Sequence, residues 1–139
     1  PAITINPQED KDKFDKRVRF KQRYLRAIYL RIMALLRDKR EVILVGDLNV
    51  SHSSIDVAWN AVDNSSFSRI WLKKLLKLGV IDAYRHFHPR HRRYTHWSQV
   101  TGARKTNYGS RIDYILMSAQ VAQKACNDCG IWDHVLGSD

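Results

Sequence analysis

Asp47 and Asn49 stand two residues apart, directly after the run Val42-Ile43-Leu44-Val45-Gly46. Where the backbone stays extended, that spacing sends both side chains off one face. A carboxylate and an amide held together just past a strand could grip a hard cation or orient a water beside a phosphate. The plainer alternative is a strand-to-loop turn in which Asp47 bonds to nearby backbone, as aspartates in turns do. A second acid, Asp113, opens the otherwise apolar run Tyr114-Ile115-Leu116-Met117. It either pairs with Arg111 or a neighbour, or orients a catalytic histidine.

The elements that must position these residues follow from periodicity. Val42 to Val45 are consecutive apolar residues, mostly β-branched, and read as a fully buried strand of a covered sheet, stopped by Gly46. Ligands of open α/β sheets bind beyond the carboxyl ends of such strands. Ahead of it, Phe14, Val18, Leu25, Ile28, Ile32 and Leu35 recur in steps of three, four or seven, one face of a long helix over about Lys13 to Lys39. Helix then buried strand is one αβ unit of a layered α/β domain. Ala2 to Ile5 reads as a short strand closed by Asn6-Pro7.

Beyond the central run comes a polar loop, Val50 to Ser66, in which His52 is expected to bond locally to Asp56. A second helix is expected from Phe67 to Leu78, with Ile70, Trp71, Leu75 and Leu78 inward and Gly79 as its cap. Tyr94 to Trp97 and Arg111 to Met117 read as strands joined by the polar loop Thr101 to Ser110. Alternation in the second puts Arg111 and Asp113 on one face and Ile112, Tyr114 and Leu116 on the other.

A length of 139 residues suits one domain with a real core. The formal charge of +10 calls for an anionic partner such as nucleic acid, with a membrane surface as the rival. No apolar run approaches a membrane span and no signal peptide is visible, so a soluble intracellular protein fits best. Of the 24 basic residues, 12 lie between Lys11 and Arg40, where a solvated helix face is the simpler explanation. Arg85 to Lys105 is the better nucleic-acid candidate: six Lys and Arg, four His and no acid, interleaved with Phe87, Tyr94 and Trp97. Basic residues neutralise phosphates while aromatics stack on bases, although Phe87 and Tyr94 could equally point into the core. Cys126 and Cys129 form a single C-x-x-C, too little for a zinc site, and read as small buried thiols.

Three ordered motifs, Gly46-Asp47-Leu48-Asn49, Ser110-Arg111-Ile112-Asp113-Tyr114 and Gly137-Ser138-Asp139, resemble those of the endonuclease/exonuclease/phosphatase superfamily, whose last motif reads Ser-Asp-His. Tyr94-Thr95-His96-Trp97, Thr101 to Arg104 and Asn107 to Arg111 resemble the exonuclease III-like apurinic/apyrimidinic endonucleases, nearest the second eukaryotic class, AP endonuclease 2-like. Asn49-Val50-Ser51-His52 through Asp56 fits that branch too. The likeness runs from about residue 14 to the end; residues 1–12 match poorly.

The resemblance implies a four-layer α/β sandwich, two sheets flanked by helices, of which this chain supplies roughly the C-terminal half. It implies a nuclease of base excision repair that cuts 5′ to abasic sites in duplex DNA and trims damaged 3′ ends. The cofactor would be Mg²⁺, with Mn²⁺ as the alternative, and the compartment the nucleus, with the mitochondrion as the alternative. A sliding clamp, engaged through a tail outside this chain, is a candidate further partner. By position, Asp47 would orient or deprotonate the attacking water and Asn49 would hold that water and the phosphate. Asp113 would orient the histidine of the last motif. Asp47, Asn49 and Asp139 would form the metal shell, and Trp97, Arg104, Asn107, Tyr108 and Arg111 would meet the DNA. The family's first half, with its metal-binding glutamate and an early asparagine, has no counterpart here. Ile5 stands where a tyrosine is expected, and Asp139 precedes the missing histidine. The chain is therefore expected to be a fragment that catalyses poorly alone and leaves one sheet face without its partner. A phosphatase or retroelement endonuclease of the same superfamily, or a noncatalytic DNA-binding remnant, are the competing readings.

Overall fold

Helix α1 runs Lys11–Arg37, 27 residues, and buries the stripe its periodicity marks, with Leu25 and Ile32 in the core. The structure is a computed structural model that describes residues 11–59 and 62–135; the strand expected at Ala2 to Ile5 lies outside them. Strand β1, Ile43–Asp47, follows. Helix α2, Phe67–Lys77, packs beside α1 and ends at Gly79, whose φ of +90° is a left-handed turn that a side chain would strain. Strand β2, Val80–Asp82, leads into the short helix α3, Ala83–Phe87. Strands β3, His96–Trp97, and β4, Gly109–Ser110, pair with each other. Strand β5, Asp113–Ser118, and helix α4, Ala119–Ala125, complete the order.

β5 is the centre of a three-stranded antiparallel sheet in the order β1-β5-β2. Leu44, Val80, Tyr114 and Leu116 point from it toward α1 and α2, where they meet Leu25, Ile32, Trp71, Leu72 and Leu75 in the main core. On the opposite face, Ile81 and Met117 are covered by Ala83 of α3 and Ala122 of α4, and Cys126 and Cys129 pack there as free, half-buried thiols.

Two expectations need correction. β1 is an edge strand rather than a fully buried one: Ile43 is 60% and Val45 64% exposed, and Ile115 beside them is exposed as well. The apolar run carried no alternation because β1 is apolar on both faces, and only the face toward α1 and α2 is covered within the described residues. In α2 it is Leu72, not Ile70, that fills the core; the buried positions Ser68, Arg69, Trp71, Leu72 and Leu75 lie on one arc of the helix, and Ile70 falls outside it. Leu72→Ala is expected to lower the unfolding free energy by about 2–5 kcal/mol. Ile70→Ala should cost less than about 1 kcal/mol, because the side chain is already exposed. Urea denaturation of the two variants measures the difference.

Candidate active site

The β1–β5 ladder sets Asp47 directly opposite Asp113. Both leave the sheet on the face that carries Val45 and Ile115, at the end of the strands, and both are exposed. Like charges at facing ladder positions repel, and a cation between them would relieve the repulsion. Asn49 reaches Asp47 by a turn rather than by extension, since Asn49 has φ of +48°. The turn returns both its groups to the carboxylate: its N–H donates to Oδ1 at 2.7 Å and its Nδ2 to Oδ2 at 2.8 Å. Asp47 is thus at once a turn residue and half of a carboxylate–amide pair. Asparagine is among the few residues that tolerate this backbone conformation.

Behind the pair lies a buried ion cluster. Arg111 is 1% exposed. Its Nε donates to Asp56 Oδ1 at 2.8 Å, and Nη1 and Nη2 donate to the two oxygens of Asp82 at 3.1 and 2.6 Å. Arg85 adds a second cation on Asp56, Nη2 to Oδ1 at 2.6 Å. The Arg111 guanidinium lies 4.5 Å from the Tyr114 ring centroid and 5.6 Å from that of Tyr84. Burial alone would raise the Asp56 pKa, but the bonds from Arg111 and Arg85 outweigh it and hold the carboxyl below its ordinary value. Burial likewise opposes the Arg111 charge, and the bonds to Asp82 and Asp56 leave its pKa raised. Arg111 also lines the cleft that holds Asp47 and Asp113, and the alternation expected to put it on the Asp113 face failed because β5 begins only at Asp113.

His52 does not bond to Asp56 as expected. Both arginines and Ser53 occupy that carboxylate, and the bond that His52 does make is from its backbone N–H to the Tyr114 hydroxyl at 3.1 Å. Tyr114 Oη in turn donates to Val50 O at 2.9 Å, and burial pushes the phenol up from its ordinary pKa. Tyr114 thereby fastens the loop after Asn49 to the central strand.

Asp47 and Asp113 line a cleft of about 410 Å³ whose wall includes Thr95, His96, Trp97 and Arg104. Trp97 is buried, donates to Asn107 Oδ1 at 3.1 Å and carries the Arg104 guanidinium 4.5 Å above its ring. Arg104 also reaches Val135 O at 3.1 Å. A Cβ on Gly109 would stand 2.6 Å from Trp97 Nε1 and 2.8 Å from His96 O, so the turn closes this tightly only on a glycine. Tyr108 is exposed beside it, and Asp139 lies outside the described residues. Asn49 opens onto a neighbouring cleft with Ser110 and Lys21.

Lys21 was overlooked. It occupies the middle of the seven-residue step from Val18 to Leu25, and this phase buries it on the inner face of α1. Burial lowers its pKa, and the nearby Asp47 carboxylate opposes the shift. Among the described residues no group of three His, Cys, Asp or Glu could hold a metal. The Asp47 carboxylate and the Asn49 amide bonded to it nevertheless offer hard oxygens that fit a divalent cation, which can be held by only one or two carboxylates with water and phosphate completing its shell.

The endonuclease/exonuclease/phosphatase family model matches residues 6–138, and the chain belongs to that family. The human DNA-(apurinic or apyrimidinic site) endonuclease 2 is 39% identical over 139 residues, covering 89% of this chain and 27% of that protein. The exodeoxyribonuclease of Bacillus subtilis is 34% identical over 144 residues, covering 99% of this chain and 55% of the relative. The chain thus spans about a quarter to a half of the length of these relatives. The Xenopus laevis APE2 catalytic domain superposes with a TM-score of 0.85 at 34% identity, over 96% of this chain and 44% of that one. The fold is therefore that of a little under half of this catalytic domain. A 3′-5′ exonuclease from Neisseria meningitidis superposes at 0.69 with 26% identity, over 77% of this chain and 44% of its own. Nucleases of the family generally depend on a divalent metal. No described helix is long and apolar enough to cross a membrane.

Two outcomes test the site's construction. Gly109→Ala should destabilise the fold by about 1–3 kcal/mol, because Trp97 or the backbone of His96 must move; thermal unfolding against Ala103→Gly as a control reports it. The Asp56 carboxyl contributes stability above its unfolded pKa near 3.8, and that contribution is lost as pH falls through the lower folded value. Asp56→Asn should therefore unfold more easily than the parent at pH 7 and lose less stability on acidification, as measured by urea midpoints across that range.

Proposed function

We propose that the chain carries part of the catalytic site of a DNA-repair phosphodiesterase, cutting 5′ to abasic sites and trimming 3′ ends. The observation that supports it best is the facing pair Asp47 and Asp113, with Asn49 bonded to Asp47, in a cleft walled by Trp97 and Arg104. The names of the relatives, endonucleases acting on abasic DNA and exodeoxyribonucleases, support the substrate class. The net charge of +10 suits it as well.

In this reading Asp47 accepts a hydrogen bond from the attacking water and draws its proton. Asn49, fixed by its bond to Asp47, holds the same water and a phosphate oxygen. Asp113 orients a histidine supplied from beyond Asp139. Arg104 and Asn107, braced on Trp97, meet the strand backbone. A divalent cation, Mg²⁺ by preference, held by Asp47 and Asn49 and, in the complete site, Asp139, would neutralise charge gathering on the phosphate. The exposed face of Ile43, Val45 and Ile115 would be covered by the other half of the domain, to which this chain contributes the C-terminal half. The compartment is the nucleus. The sliding-clamp contact involves a tail outside this chain and rests on the resemblance alone.

The test is a duplex with one abasic site, offered to the longer protein that contains this chain. Cutting should require Mg²⁺ and stop with chelator. Asp47→Ala should slow it at least about a hundredfold, the scale of a lost general base, and Asp113→Ala should slow it strongly. Undiminished cutting in chelator or in Asp47→Ala overturns the assignment.

A further inference from the structure

Trp59 and Tyr108 form an exposed aromatic pair that no role above uses together. The two residues are 47% and 53% exposed. The centroids lie 5.7 Å apart with the planes tilted by 40°, so neither ring covers the other's face. The backbone beneath is fixed: Ala58 N–H donates to Gly109 O at 2.9 Å, and Val57 bridges to Ser110. Two aromatic side chains are thus held out by neighbouring, mutually bonded residues. Trp59 also lines the cleft of about 490 Å³ that contains Asn49, Ser110, Lys21 and Arg69. Arg104 and Lys105 precede Tyr108 on the same turn.

We propose that Trp59 and Tyr108 are a stacking platform for an unpaired nucleobase of the DNA strand whose phosphate lies at Asn49. The platform rests on the reading of this face as DNA-binding and adds a preference to it. Every base has an apolar π-face, so two open rings beside cationic side chains take a base without reading its edges. A base locked in a duplex presents its face to its neighbours and is unavailable. The strand end that this site favours is therefore frayed, overhanging or mismatched, and its choice of base is weak.

The longer protein that contains this chain can be titrated by fluorescence anisotropy, in chelator, onto a labelled blunt duplex and onto the same duplex with a short single-stranded 3′ overhang. The parent should bind the overhang more tightly. Trp59→Ala should weaken overhang binding about fivefold to a hundredfold, the effect of losing one base–aromatic stack. Tyr108→Ala should weaken it in the same direction, and Trp59→Phe, which keeps a π-face, should stay near the parent. Thermal melting confirms that each variant is folded. Overhang affinity unchanged in Trp59→Ala, or equal loss in Trp59→Phe and Trp59→Ala, overturns the platform while DNA binding by the parent still stands. A parent that binds neither duplex overturns the DNA reading of this face together with the platform.

Discussion

One buried guanidinium holds the site together. Arg111 joins three pieces of chain that are distant in sequence: the 3₁₀ turn Ser54–Asp56, the junction of β2 and α3 at Asp82, and the approach to β5. With Arg85 on the same carboxylate, two cations face two anions, and the cluster is neutral in charge. Withdrawing such groups from water is costly unless every partner is in place, so the loops can adopt this arrangement or come apart, with little between. Asp47 and Asp113 themselves are exposed, and Asn49 is half-buried. Their geometry is inherited from the ladder and from the anchored loop.

The elements with a clear period were legible. The apolar stripe of α1, the α2 helix with its glycine stop, and an apolar strand around Asp113 to Met117 all follow from spacing. So did the proximity of Asp47 and Asn49, although a left-handed turn at Asn49 produces it where an extended chain was expected. What sequence could not resolve was partner choice. Asp56 had a nearby histidine in sequence, yet arginines 29 and 55 positions away hold it. Arg111 read as a possible partner of nearby Asp113 because its actual partners, Asp56 and Asp82, are remote in the chain. Lys21 was the exception, since its helical phase did mark it as inward and only its charge argued otherwise.

The half-covered sheet makes sense of β1. Ile43, Val45 and Ile115 form an apolar strip running straight into the two carboxylates, so whatever covers the strip also borders the chemistry. A strip of that kind at a sheet edge invites pairing with other chains when left open. In the Xenopus catalytic domain the matched part is 44% of the chain, which leaves ample structure to provide a cover.

The left-handed backbone at Asn49 has a consequence for which sequences this site can accept. Glycine would satisfy the conformation and lose the amide that donates to Asp47. Aspartate would tolerate the conformation but set a second carboxylate against the first. Glutamine or serine would offer a polar group while resisting the backbone. Position 49 is thus constrained independently by shape and by charge, and the two filters overlap on a single amino acid. A neutral drift path through it is closed, whereas Trp59 or Tyr108 can be exchanged for another aromatic residue that keeps a π-face.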